Sequence, residues 1–108
     1  MAQQSETPVL DLVVGMSAQS IEASSLDQRT LMLVRIAALV AVDAPPVSYM
    51  LNLGAAADAG LDEEQVQGVL AAVAPVVGTP RIASAAGSIT RGLGLALELG
   101  ELEQEAEE

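Results

Sequence analysis

The chain has no cysteine, histidine, lysine, tryptophan or phenylalanine, and its one tyrosine, Tyr49, is its whole aromatic content. Each absence removes chemistry. Without cysteine there is no disulfide framework, thiolate nucleophile, iron–sulfur cluster or Cys-ligated zinc. Without histidine, the commonest metal ligand and the usual general base near neutral pH are missing. Positive charge is scarce too: four arginines face 15 acidic residues, for a formal charge of −11 and a pI of about 4.1. Such a chain offers no basic face to a phosphate backbone and repels anionic lipid, so neither nucleic acid nor membrane is an expected partner. The longest apolar run, Leu31 to Val42, contains Arg35 and stops at Asp43, too short and too charged to span a bilayer. Met1 to Thr7 is polar and lacks the basic start and apolar stretch of a signal peptide, which makes the cytoplasm the expected location.

What is present is aliphatic. Hydrophobic residues make up 51% of 108 positions and the mean hydropathy is +0.43, high for so acidic a chain. At 11.0 kDa one domain is expected. A compact monomer of that mass would expose roughly 5,600 Å² of the ~16,000 Å² of its unfolded chain. A core of Ala, Val, Leu and Ile buries little area per residue, because aromatic side chains normally supply the largest single burials. Burial of apolar helix faces against further copies of the chain makes up the shortfall, so a homo-oligomer is expected.

The periodicity is helical almost throughout, and the expected class is all-α with about five helices. Pro8 suits a first helical turn, and Val9, Leu12, Val13 and Met16 follow at helical spacing, giving a first helix over about 8–20. Asp27 is a cap for a second, largely apolar helix, with Leu26 stapled to Leu31. Asp43-Ala44-Pro45-Pro46 ends it, since a residue before proline leaves the α region, and the prolines open a third helix that runs to about Ala59. Gly60 reads as its C′ residue. Asp62 with Gln65 is a capping-box pattern opening a fourth helix, in which Glu63 and Glu64 match the positive helix end rather than a metal. Thr79 as cap and Pro80 in the first turn start a fifth, with Ile82, Ala86, Ile89, Leu93 and Leu97 on its stripe. Small residues at Ala83, Ala86, Gly87 and Ser88 predict that another backbone approaches there. Residues 1–97 form the expected single helical domain, and 98–108, with six glutamates, an acidic flexible tail. Met16, Met32 and Met50 fall at apolar positions and read as core.

Few residues are equipped for chemistry. Arg35 interrupts the most apolar helix, either as a structural arginine reaching an acidic partner or as an anion-binding group in a cavity. Asp43, Ser48, Tyr49 and Asn52 gather around the start of the third helix, and Ser48 and Asn52 share a face. No base for Ser48 is evident, which argues against a serine hydrolase. The same residues also read as ordinary helix-start and packing positions. Arg35, Asp43, Ser48, Tyr49 and Asn52 are therefore the candidate cleft, with no metal and no cofactor expected.

The order of signals from Leu26-Asp27-Gln28-Arg29 through the apolar helix, the proline-initiated helix, Ala-Ala-Ala-Asp-Ala-Gly60-Leu-Asp-Glu-Glu and Gly78-Thr-Pro-Arg resembles the carboxymuconolactone decarboxylase family, which includes alkylhydroperoxidase-D-like proteins. The resemblance covers residues of about 26–97. It implies an all-helical fold and commonly a trimer or hexamer. The family's peroxidase branch carries a CxxC pair and a following histidine; counting back from Gly60 puts Pro45, Ser48 and Asn52 at those three positions. The upstream relay glutamate would fall near Leu33. With thiols and imidazole both replaced, thiol peroxidase activity does not follow from the resemblance. Three readings remain: a non-catalytic homo-oligomer; a binder of small organic acids or a cofactor-free decarboxylase- or isomerase-like enzyme using the family cleft; and an engineered assembly component, for which a cysteine-free chain is convenient.

Overall fold

A computed structural model describes residues 6–107, with side chains described over 6–94 and at Leu102. The elements are α1 (Pro8–Ala23), α2 (Gln28–Ala41), α3 (Pro46–Asp58), α4 (Glu63–Val77) and α5 (Thr79–Glu107), with no strand among the described residues. The class is all-α, as the periodicity predicts.

Local chemistry sets most boundaries. The Asp27 carboxylate accepts the Thr30 amide at 2.8 Å and caps α2. At α4 the reciprocal capping box is complete: the Asp62 side chain accepts the Gln65 amide at 2.9 Å, and the Gln65 side chain accepts the Asp62 amide at 3.0 Å. Gly60 ends α3 with φ +89°, its amide donating to Ala57 and the Leu61 amide to Ala56, both at 3.0 Å, which is a Schellman closure.

The end of α2 uses the same closure with an unexpected residue. Asp43 takes φ 55°, its amide donating to Val40 at 3.2 Å and the Ala44 amide to Leu39 at 3.0 Å. Aspartate is among the few non-glycine residues that tolerate this region. The stop at Asp43 is thus a left-handed turn in its own right, beyond the proline effect expected from sequence.

Three boundaries differ from expectation. Helix α1 continues to Ala23, past the expected end near residue 20. Thr79 is the first residue of α5 rather than its cap, because Gly78 turns sharply at φ 88° and its carbonyl receives the Ile82 amide. The backbone of α5 stays helical past Leu97 to Glu107, into the segment read as an acidic tail.

Helices α2 to α5 form the packed body, α5 lying chiefly along α3 and α4 along α2. One core cluster joins Leu31, Met32 and Ile36 of α2 to Ala56, Leu61 and Val69; a second centres on Tyr49 with Val40, Ala44 and Ala85. The close approach in α5 lies at Gly92, later than the expected Ala83–Ser88 stretch. A Cβ there would stand 2.8 Å from the Pro46 carbonyl oxygen and 3.1 Å from the Met50 nitrogen, whereas Gly87 has nothing within 4 Å. The inward face of α5 runs through Ala85, Ser88 and Gly92; of the expected stripe, Ile82 and Ile89 pack against the second core cluster, Ala86 and Leu93 are exposed, and the Leu97 side chain lies outside the described residues.

Helix α1 stands apart from this body. None of its residues is buried, and Val9, Leu12, Val14 and Met16 are 74%, 64%, 60% and 60% exposed. Met16 is therefore not a core residue within one chain, whereas Met32 is, at 2% exposed. The chain as a whole exposes 7691 Å², against roughly 5,600 Å² for a compact monomer of this mass. Its radius of gyration is 15.6 Å, where about 13 Å is usual for this length. Among the described residues no helix is long and apolar enough to cross a membrane.

Candidate functional site

The five candidate residues separate into two places. Arg35 and Asn52 line a shallow cavity of about 380 Å³ between α1, α2 and α3, with Val13, Met16, Ser17 and Ser20 of α1 forming its far wall. The Arg35 guanidinium donates through Nη1 to the Ser17 hydroxyl at 2.9 Å and through Nη2 to the Ser17 carbonyl at 3.1 Å. The acidic partner expected for Arg35 is therefore replaced by a serine on α1. Two of the five guanidinium N–H groups make these bonds, and the side chain is half-buried. Asn52 donates its side-chain amide to the Ser48 carbonyl at 2.8 Å. This bond along the helix orients Asn52 beside the cavity, which Ser48 itself does not line.

Asp43 and Tyr49 lie elsewhere. The Asp43 carboxylate accepts the Ser84 hydroxyl at 2.5 Å, tying the end of α2 to α5. Tyr49 is fully buried in the second core cluster, and its hydroxyl has no hydrogen-bond partner among the described residues. Burial, reinforced by the Asp43 carboxylate, pushes the Tyr49 hydroxyl above its ordinary pKa. A phenol held so deep is a packing group with an unpaired tip, not a group offered to the Arg35 cavity.

A second cavity, also about 380 Å³, opens between α3, α4 and α5 and is walled mainly by apolar side chains such as Leu53, Leu70 and Ile89. None of the five candidates lines it. Two partners escaped the sequence reading: Ser17, one serine among several in α1, and the residues of this second cavity, whose Leu and Ile are indistinguishable from core by spacing. A groove between three helices shows only when their crossing is known.

Among the described residues no group of three or more acidic side chains is placed to hold a metal ion. The three positions at the opening turns of α3 are Pro45, which precedes the helix, Ser48 and Asn52. The family model for the carboxymuconolactone decarboxylase family matches residues 8–91. The chain belongs to that family. The match reaches back through α1, which the resemblance read from sequence did not include. No curated protein and no solved structure matches the chain significantly. The chain is a member without a single cysteine or histidine.

Proposed function

We propose that this family member is a non-catalytic, homo-oligomeric helical protein whose subunits associate through α1, as a trimer or hexamer. The observation that carries the reading is the unburied α1. A helix of 16 residues with mean apolar character and no buried residue has no reason to be ordered by its own body alone. The exposed Val9, Leu12, Val14 and Met16 give α1 an apolar surface of the kind that a partner contact covers. Leu10, Val14 and Ile21 recur four and seven residues apart and share one stripe with Ser17, and all three are about half exposed or more. Membership in the carboxymuconolactone decarboxylase family agrees with this assembly.

The non-catalytic part rests on the residues at the positions where the family's peroxidase branch carries its CxxC pair and histidine. Pro45 has neither thiol nor ionisable group, Ser48 has no base, and the Asn52 amide is engaged with its own helix.

Native mass spectrometry at low micromolar concentration, on the chain and on Val14→Glu, tests the assembly. A trimer or hexamer without added mass that falls to monomers in Val14→Glu is the expected result. A monomeric wild-type chain overturns it. The second reading, a small organic acid held at Arg35, has one observation in its favour: the half-buried guanidinium keeps unused donors beside a cavity. It predicts saturable binding of a small carboxylate such as succinate that Asn52→Leu weakens without altering assembly.

A further inference from the structure

The cavity between α3, α4 and α5 is separate from the positions discussed above, and its lining has a consistent chemical sense. Its floor is apolar, with Ala56 and Leu61 at 1% and 7% exposed, and Leu70 and Ile89 make the walls. Its polar groups are Asp62, Glu63, Gln67 and Thr90, with no arginine among them. Each of these presents acceptors. The Thr90 hydroxyl spends its hydrogen on the Ala86 carbonyl at 2.9 Å, leaving lone pairs. Gln67 directs its amide nitrogen to the Glu63 carboxylate at 3.3 Å, which leaves the amide oxygen and the second carboxylate oxygen. Asp62 accepts the Gln65 amide through one oxygen only.

Electrostatics select the same sign. The N-terminus of α4 contributes about half a positive charge, and the Asp62 and Glu63 carboxylates beside it outweigh that several times over. An occupant must therefore bring hydrogen-bond donors and positive charge at one end and an aliphatic body at the other. The lining holds no aromatic ring, so the cation is recognised through N–H groups rather than through a π face. A cavity of this size lies within the range of small-molecule sites.

We propose that this groove binds a linear primary alkylamine in its protonated form, with the alkyl chain between Leu70 and Ile89 and the ammonium group at Glu63 and Thr90. The site shares no residue with the Arg35 cavity and carries the opposite preference of charge, so it stands independently of the assembly and organic-acid readings.

The test is a backbone-amide NMR titration of the full chain with n-hexylammonium, n-hexanol and n-hexanoate, each at pH 7. Saturable shifts at Leu53, Leu70 and Ile89 are expected with hexylammonium, and hexanoate should bind at least about tenfold more weakly. Lengthening the amine should tighten binding by up to about fourfold per methylene until the groove is full. Glu63→Gln, which keeps the contact with Gln67, should weaken hexylammonium by about two- to fivefold and leave hexanol unchanged. Ala86→Leu, a filling change at an exposed helical position, should abolish all three. Hexanoate binding as tightly as the amine, shifts confined to the Arg35 cavity, or no saturable shift would each overturn the proposal. So would dissociation of the oligomer in Ala86→Leu, which would make the groove a contact between copies; Val14→Glu tests the α1 interface separately.

Discussion

Arg35 on α2 holds Ser17 on α1 by both its hydroxyl and its carbonyl, at 2.9 and 3.1 Å, so one guanidinium docks a helix that buries no residue of its own. Hydrogen bonds to a charged donor are stronger than neutral ones, and here they stand in for apolar packing. Replacing Arg35 by alanine should free α1 while leaving the α2–α5 body intact. Hydrogen exchange should show loss of amide protection across α1, with the stability of the body changing by less than about 1 kcal/mol, as for a surface substitution. A large fall in body stability would mean that Arg35 packs the core instead.

Tyr49 allows an unusually clean pH experiment. With no lysine and no cysteine, it is the one side chain in this sequence that titrates near pH 10. Its folded pKa is raised above the ordinary 10.0 by burial first and by Asp43 second. The unfolded chain therefore ionises before the folded one, so stability is complete below pH 10 and declines as pH rises above it. The slope is about 1.4 kcal/mol per pH unit between the two values. Tyr49→Phe should flatten this alkaline limb. Because it removes a buried hydroxyl without a partner, it should also keep or raise stability at pH 7, by about 1 kcal/mol. Urea unfolding from pH 7 to 12 measures both effects, and a marked loss at pH 7 would show that the hydroxyl is paired after all.

At the acid end, Asp27 gives the opposite sign. The Thr30 backbone amide, then the Thr30 side chain, hold its carboxyl below the usual 3.8. The contribution is present above pH 3.8 and is lost as pH falls through the lower folded value. Asp27→Asn keeps a capping acceptor but cannot titrate. Its acid unfolding curve should be shallower than that of the parent chain when urea midpoints are compared from pH 5 to 2.

Much of the body was legible because helix ends are written locally. Asp27, the Asp62–Gln65 box and Gly60 each satisfy backbone groups within a few residues, so their roles follow from sequence alone. Asp43 was not legible as a left-handed residue, since aspartate serves in many other settings. The candidate cleft keeps Arg35 and Asn52 beside one cavity but not Tyr49, for a geometric reason. Tyr49 is one residue from Ser48, about 100° around the helix, so the two face different neighbours although they are adjacent in sequence. The isolation of α1 was hidden as well. Periodicity reports that a helix has an apolar face but not what covers it, and a face meant for another subunit reads the same as one meant for the core.

The α3–α5 crossing gives the sharpest stability test, because two glycines of one helix should respond with opposite signs. A methyl group at Gly92 would meet the Pro46 carbonyl oxygen at 2.8 Å, the Met50 nitrogen at 3.1 Å and the Tyr49 Cβ at 3.3 Å. Two of these are backbone atoms of α3 and cannot rotate away, so the helices must separate. Gly92→Ala should destabilise by about 1–3 kcal/mol, the usual cost of overpacking, even after the gain in helix propensity. Gly87 has nothing within 4 Å of the same atom, so Gly87→Ala should keep that gain undiminished and stabilise by up to about 1 kcal/mol. Thermal unfolding of the two variants beside the parent chain decides the matter. Equal shifts would place the α3–α5 contact somewhere other than Gly92.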